Sequence, residues 1–176
     1  LSLAQPRPVG DLLFVTAFYN GSRLFRLGGA EPQVVWQTEK PSEKETTHLN
    51  CLMSTPFIEN GHLYGVCSYG QLRGLKLETG ERLWETFAAT NPEGPTRWGN
   101  AFLIKQGDRF FLANEKGDLI IARLTPQGYE EISRTHLLDP TNTDARRPVV
   151  WSHPAFANRC VYARNDREII CVSLAL

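Results

Sequence analysis

The chain has 176 residues, with 19 basic and 19 acidic side chains and a formal net charge of zero. That balance argues against nucleic acid or an acidic membrane surface as a partner. No apolar run is long enough to span a bilayer, while the length and apolar content allow a substantial core.

Residues Leu1–Ala4 carry no Met and no basic segment ahead of an apolar one, so no signal peptide is visible and residue 1 is expected to be a cut point. A short run near Leu3–Val9, weakened by Pro6 and Pro8, precedes Leu13–Phe18. Asn20-Gly21 is a turn into Arg23–Leu27, and a further strand, Gln33–Thr38, carries Trp36. The segment Glu39–Leu49 is polar, contains Pro41 and lacks a helical period. Leu52–Ile58, His62–Cys67, Leu72–Leu77 and Arg82–Phe87 follow, the last two joined by a tight Glu78-Thr79-Gly80 turn and ending near Trp84. The third set is Trp98–Ile104, Arg109–Ala113, Leu119–Leu124 and Tyr129–Leu137. The fourth has Val149–Ala157, a strand from Val161 and one ending at Leu174, with no outermost strand after it.

The closing leucines Leu27, Leu77, Leu124 and Leu174 stand 50, 47 and 50 residues apart. A near-constant period of that size, filled with about four short strands, predicts an all-β propeller of four-stranded antiparallel blades. The repeats cover approximately 1–40, 50–88, 97–138 and 149–176 of a single propeller domain or segment. Because the last repeat would leave an apolar edge unpaired, the chain is expected to be an incomplete arc of a larger propeller; closure by Leu1–Pro8 is the alternative.

Leu75–Trp84, reading LKLETGERLW, resembles the A-L-D-x-x-T-G-x-x-x-W repeat of the pyrroloquinoline-quinone (PQQ)-like propellers. Pro56–Tyr64 and Pro154–Tyr162 are similar to the opening of that repeat. In the third repeat Ile132 stands in place of the tryptophan. The resemblance implies that Trp36 and Trp84 are structural, packing between neighbouring blades, with Thr79 and Gly80 forming the turn. The family includes quinoprotein alcohol dehydrogenases and non-enzymatic scaffolds of bacterial outer-membrane assembly, so the resemblance also implies an extracytoplasmic location, periplasmic or secreted. Dehydrogenases of the family use PQQ, calcium and a vicinal disulfide. This chain has no adjacent cysteines, and its inner strands Leu52–Ile58, Trp98–Ile104 and Val149–Ala157 contain no carboxylate to hold a hard cation. No catalytic residue, metal site or cofactor is therefore expected, and PQQ with calcium belongs only to the alternative of a dehydrogenase fragment.

Cys160 and Cys171 lie equidistant from the Asn165-Asp166 turn. They read either as a disulfide, if strand geometry allows one, or as two small buried apolar residues. The long loops Lys40–Asn50, Ala88–Arg97 and Leu138–Pro148 are expected on one face, beside the turns between second and third strands. That face would carry His48, Asn50, Arg97, Trp98, Asn100, Arg147, Trp151 and His153. Two readings stand for Trp98 and Trp151: a recognition patch for a protein or glycan partner, or plugs at the centre of the propeller. The predicted function is a non-catalytic binding or scaffolding module.

Overall fold

The computed structural model describes residues 3–175, and their only regular structure is β-strand. The first sheet is β1 (Arg7–Val9), β2 (Leu12–Ala17), β3 (Gly21–Arg26) and β4 (Gln33–Gln37). The second is β5 (Phe57–Glu59), β6 (His62–Val66), β7 (Leu72–Lys76) and β8 (Arg82–Thr86). The third is β9 (Ala101–Gln106), β10 (Arg109–Asn114), β11 (Asp118–Thr125) and β12 (Gly128–His136). A two-stranded hairpin, β13 (Asn142–Asp144) and β14 (Arg147–Val149), leads to a three-stranded fourth sheet of β15 (Ala155–Ala157), β16 (Cys160–Arg164) and β17 (Ile169–Ser173). Every pairing is antiparallel between chain neighbours, so each sheet is a meander. These are the blades of a β-propeller. The possible closure by Leu1–Pro8 falls partly outside the described residues.

Alternation within the strands makes the blades stack. In β2, Leu12, Phe14 and Thr16 are buried while the residues between them are not. One apolar cluster joins Leu12, Phe14 and Leu24 of the first sheet to Leu63, Leu75 and Leu77 of the second. Another joins Tyr64, Val66 and Leu72 to Phe110, Leu112, Ile120 and Leu124 of the third. Each fully buried Leu or Phe contributes about 1.5–3 kcal/mol relative to exposure.

The tryptophans lock these two junctions. Trp36 lies 5.9 Å from the Phe14 ring and donates its Nε1–H to the Leu77 carbonyl at 2.8 Å. Trp84 lies 6.0 Å from Tyr64 and donates to the Thr125 carbonyl at 2.7 Å. Gly80, at φ 71°, sits where a Cβ would press on His48 and Trp36, so the Thr79-Gly80 turn is shaped to receive the preceding blade's indole. Thr79 supports the turn by accepting from the Glu81 amide at 3.2 Å.

The same irregularity recurs between third and fourth strands of the first three sheets. Pairing shifts after Leu24, after Gly74 and after Ile121, skipping Val35, Leu83 and Ile132. Trp36 thus faces Leu24, Trp84 faces Gly74, and Ser133 faces Ile121. This corrects the sequence reading: Ser133 holds the tryptophan position of the third sheet, and Ile132 is the extra bulge residue.

The innermost strands are shorter than expected. Pairing begins only at Phe57, Ala101 and Ala155, and Val149 belongs to the β13–β14 hairpin. The residues before those points bond to neighbouring blades instead: Cys51 N–H donates to Thr16 Oγ1 at 3.0 Å, and Thr16 donates to the Leu49 carbonyl at 2.7 Å. The cysteine expectation also changes. Cys160 faces Ser173 and Cys171 faces Tyr162, because four residues, 165–168, form the turn. Both thiols are free, Cys160 half-buried and Cys171 exposed. Partial burial and a hydrogen bond with Cys171 push the Cys160 thiol up.

Candidate functional site

The long loops and the turns between second and third strands meet on one face, as their order along the chain requires. Each turn is tied to the loop beside it. Ser68 donates to the Glu43 carbonyl at 2.8 Å, and its own carbonyl accepts from Trp98 N–H at 2.9 Å. Asn114 donates to the Ala89 carbonyl at 3.3 Å, and Asn165 to the Asp139 carbonyl at 3.0 Å. The side chains on this face therefore stand on backbone held from two directions.

Arg97 is the centre of the first group. Its Nη2 lies 2.9 Å from Glu43 Oε2, while Tyr69 OH donates to Glu43 Oε1 at 2.8 Å. The guanidinium sits 4.5 Å from the Trp98 ring and 5.8 Å from Phe18, and the Arg97 side chain is 44% exposed. The Tyr69 hydroxyl, then Arg97, hold the Glu43 carboxyl below its ordinary range, and Glu43 raises Arg97. Trp98 packs edge-on against Phe18 with centroids 6.4 Å apart, at a backbone φ of 61°. That left-handed conformation costs a bulky residue roughly 1–2 kcal/mol. Its Nε1–H is buried without a protein acceptor, a further cost of about 1–3 kcal/mol.

Glu115 is the centre of the second group. It is buried, forms an ion pair with Arg147 and accepts from Trp151 Nε1 at 3.1 Å. Burial pushes its carboxyl up, and the Trp151 and Arg147 contacts oppose that rise. Arg147 also pairs with Asp144 at 3.2 Å across the β13–β14 hairpin, and it donates to the Arg97 carbonyl at 3.1 Å. That last bond joins the two groups.

Of the residues named from sequence, Arg97, Trp98, Arg147 and Trp151 come together. Asn100 lies beneath them, buried, its carbonyl accepting from Glu115 N–H at 3.1 Å. His153 sits apart, 4.8 Å from the Phe102 ring and bonded to the Pro154 carbonyl. Asn50 is fully buried and bonds the Phe18 and Ser42 carbonyls. His48 lies against Trp36, with ring centroids 4.7 Å apart and the planes tilted by 30°, and belongs to the blade junction. The acidic partners Glu43 and Glu115 and the phenol of Tyr69 carried no sequence signal. They lie in a polar loop and in ordinary-looking turns.

Every acid in this cluster is already engaged by an arginine. Among the described residues no three His, Cys, Asp or Glu side chains come close enough to hold a metal ion. A calcium ion takes six to eight oxygen ligands, so the residues of this face do not fit the cation that accompanies PQQ.

A family model described as "Outer membrane protein assembly factor BamB" matches residues 3–175. The chain belongs to this family. A curated relative, the outer membrane protein assembly factor BamB of Moranella endobia (strain PCIT), is 24% identical over 90 residues, covering 49% of this chain. The crystal structure of BamB from Moraxella catarrhalis superposes over 96% of this chain with a TM-score of 0.63 at 16% identity. The quinohemoprotein alcohol dehydrogenase ADHIIG of Pseudomonas putida HK5 superposes over 91% at 0.57 and 14% identity. Both structural likenesses are of fold. The chain spans 23% of the length of the curated relative, 42% of the Moraxella protein and 28% of the dehydrogenase.

Proposed function

We propose that this chain is a non-catalytic propeller scaffold in outer-membrane protein assembly, working outside the cytoplasm and recognising a protein partner through the face that bears Arg97, Trp98, Arg147 and Trp151. The observation that carries the reading is Trp98. It holds a left-handed backbone and an unpaired buried N–H directly beneath a half-exposed arginine. Retained local cost of this kind collects where a surface is kept in a binding-ready shape. Arginine over tryptophan combines contact area with hydrogen-bonding capacity, as interface hot spots do. The family match supports a role in assembly, and it favours a protein over a glycan as the partner.

A photo-crosslinking amino acid at Tyr19, an exposed residue 4.7 Å from Phe18, tests the reading in cells. The expected adduct is one outer-membrane assembly protein, lost when Arg97→Glu is added. Adducts with polysaccharide alone, or none, would refute it. Calorimetry with PQQ and calcium tests the dehydrogenase reading: tight binding that raises the melting temperature would remove the scaffold proposal.

A further inference from the structure

The cysteines fall into two environments. Cys51 and Cys67 are buried, while Cys160 is half-buried and Cys171 exposed. The latter two lie on adjacent strands, β16 and β17, of the one blade sheet that has three strands instead of four. Cys160 faces Ser173 and Tyr162 faces Cys171. Ladder hydrogen bonds join Leu174 N–H to the Arg159 carbonyl and Asn165 N–H to the Glu168 carbonyl. Bonded and unbonded pairs alternate between those points, so both cysteine-bearing pairs are of the unbonded kind, in which side chains stand closer. Cys160, Tyr162, Cys171 and Ser173 therefore share one face of the sheet.

In a flat ladder, residues offset by two positions stand about 7–8 Å apart between Cα atoms, at the limit of what a disulfide spans. Right-handed twist changes this. At unbonded pairs of a hairpin it brings together the first-strand residue further from the turn and the second-strand residue nearer to it, and it parts the other diagonal. Cys160 and Cys171 occupy the converging diagonal, and Tyr162 and Ser173 the diverging one. The two thiols are accordingly hydrogen-bonded to each other.

We propose that Cys160 and Cys171 are a thiol–disulfide exchange site, which takes its oxidising equivalents from a disulfide donor and staples β17 to β16. The exposed Cys171, as its thiolate, attacks one sulfur of the donor. The donor S–S bond breaks and its other sulfur leaves as a thiolate. Cys160 then loses its proton and attacks the Cys171 sulfur, and the second donor sulfur leaves. The protons given up by the two cysteines go to the two displaced thiolates, so the pair is oxidised by two electrons and the donor is reduced to two thiols. A bridge near the upper end of the permitted span is readily reduced, which makes the staple reversible. The site is remote from Arg97 and Trp98 and does not rest on the reading of that face.

Oxidised glutathione is the probe, applied to the reduced, folded chain. The monomer should lose about 2 Da, and alkylation after unfolding should find Cys51 and Cys67 still reduced. Trypsin cuts after Arg159, Arg164 and Arg167, which puts the two cysteines in separate peptides, CVYAR and EIICVSLAL. Non-reducing mass spectrometry should find these peptides joined, and dithiothreitol should part them. Oxidation should slow amide exchange in β16 and β17 by about tenfold. Cys160→Ser should stop the reaction at a glutathione adduct on Cys171, and Cys171→Ser should yield no joined peptide. The proposal fails if the unaltered chain stops at the glutathione adduct or stays reduced. Joined peptides found only in covalent dimers, or only in urea, would also overturn it.

Discussion

Gly74 and Trp84 show what one residue decides in this fold. A Cβ on Gly74 would overlap the Trp84 indole. Gly74→Ala is therefore expected to lower stability by about 1–3 kcal/mol, as overpacked sites do, measured by urea denaturation. At the loop face, two acids differ sharply in the same respect. Glu115 is buried with two donors on it, so Glu115→Ala should lower stability by roughly 1–3 kcal/mol and change the fluorescence of Trp151. Arg97 pairs with Glu43 near solvent, so Arg97→Ala should cost under about 1 kcal/mol while abolishing partner capture. Trp36 and Trp84 were legible from sequence because a Thr-Gly turn and a distal aromatic repeat together. Ser133 was not, because a bulge moves the pairing by one residue without a mark in composition.

At the scale of elements, β11, β12 and the loop after them are linked through titrating groups. His136 on β12 bonds Asp118 of β11 and Asp139 of the loop, each at 3.0 Å. Hydrogen bonds to these two carboxylates hold the His136 imidazole above its ordinary value of 6.5. A raised folded-state value adds stability that is complete below about pH 6.5 and is lost as pH rises past it. For Asp118, burial alone would raise the carboxyl, but bonds from His136, Asn114 and Arg134 outweigh it and bring it below 3.8. Its contribution is present above that pH and disappears on acidification. This region should be most stable between the two values. His136→Gln is expected to remove the alkaline fall, measured by thermal denaturation across a pH series. The strands themselves were largely readable, since apolar alternation and turn residues coincide in β2, β3, β6, β7, β10 and β11. The innermost strands were read too long, from Leu52, Trp98 and Val149, because apolar and aromatic residues precede the first ladder bonds at Phe57, Ala101 and Ala155.

For the whole molecule, the junctions set a gradient of order. The first two hold apolar clusters closed by an indole, while the third has Ser133 where the others have tryptophan. Amide exchange should accordingly be slowest in β6, β7, β10 and β11 and fastest in β16 and β17, with Ser133→Trp slowing the latter two. The propeller was legible because the closing leucines keep a constant period, a property of the whole chain that survives weak individual repeats. The loop face was legible in outline from loop length and strand order. Its wiring through Glu43 and Glu115 was not, since an ion pair between residues 54 apart, like Arg97 with Glu43, exists only once two blades are stacked.

The two indole bonds also run in one direction, each from a blade to the one made after it. Trp36 waits for Leu77, and Trp84 for Thr125, both 41 residues further along. On a ribosome, each of the first two blades would carry an uncovered indole until its successor arrives. While those two blades form, the growing end of the chain is its stickiest part, and synthesis order becomes the order in which their surfaces are sealed.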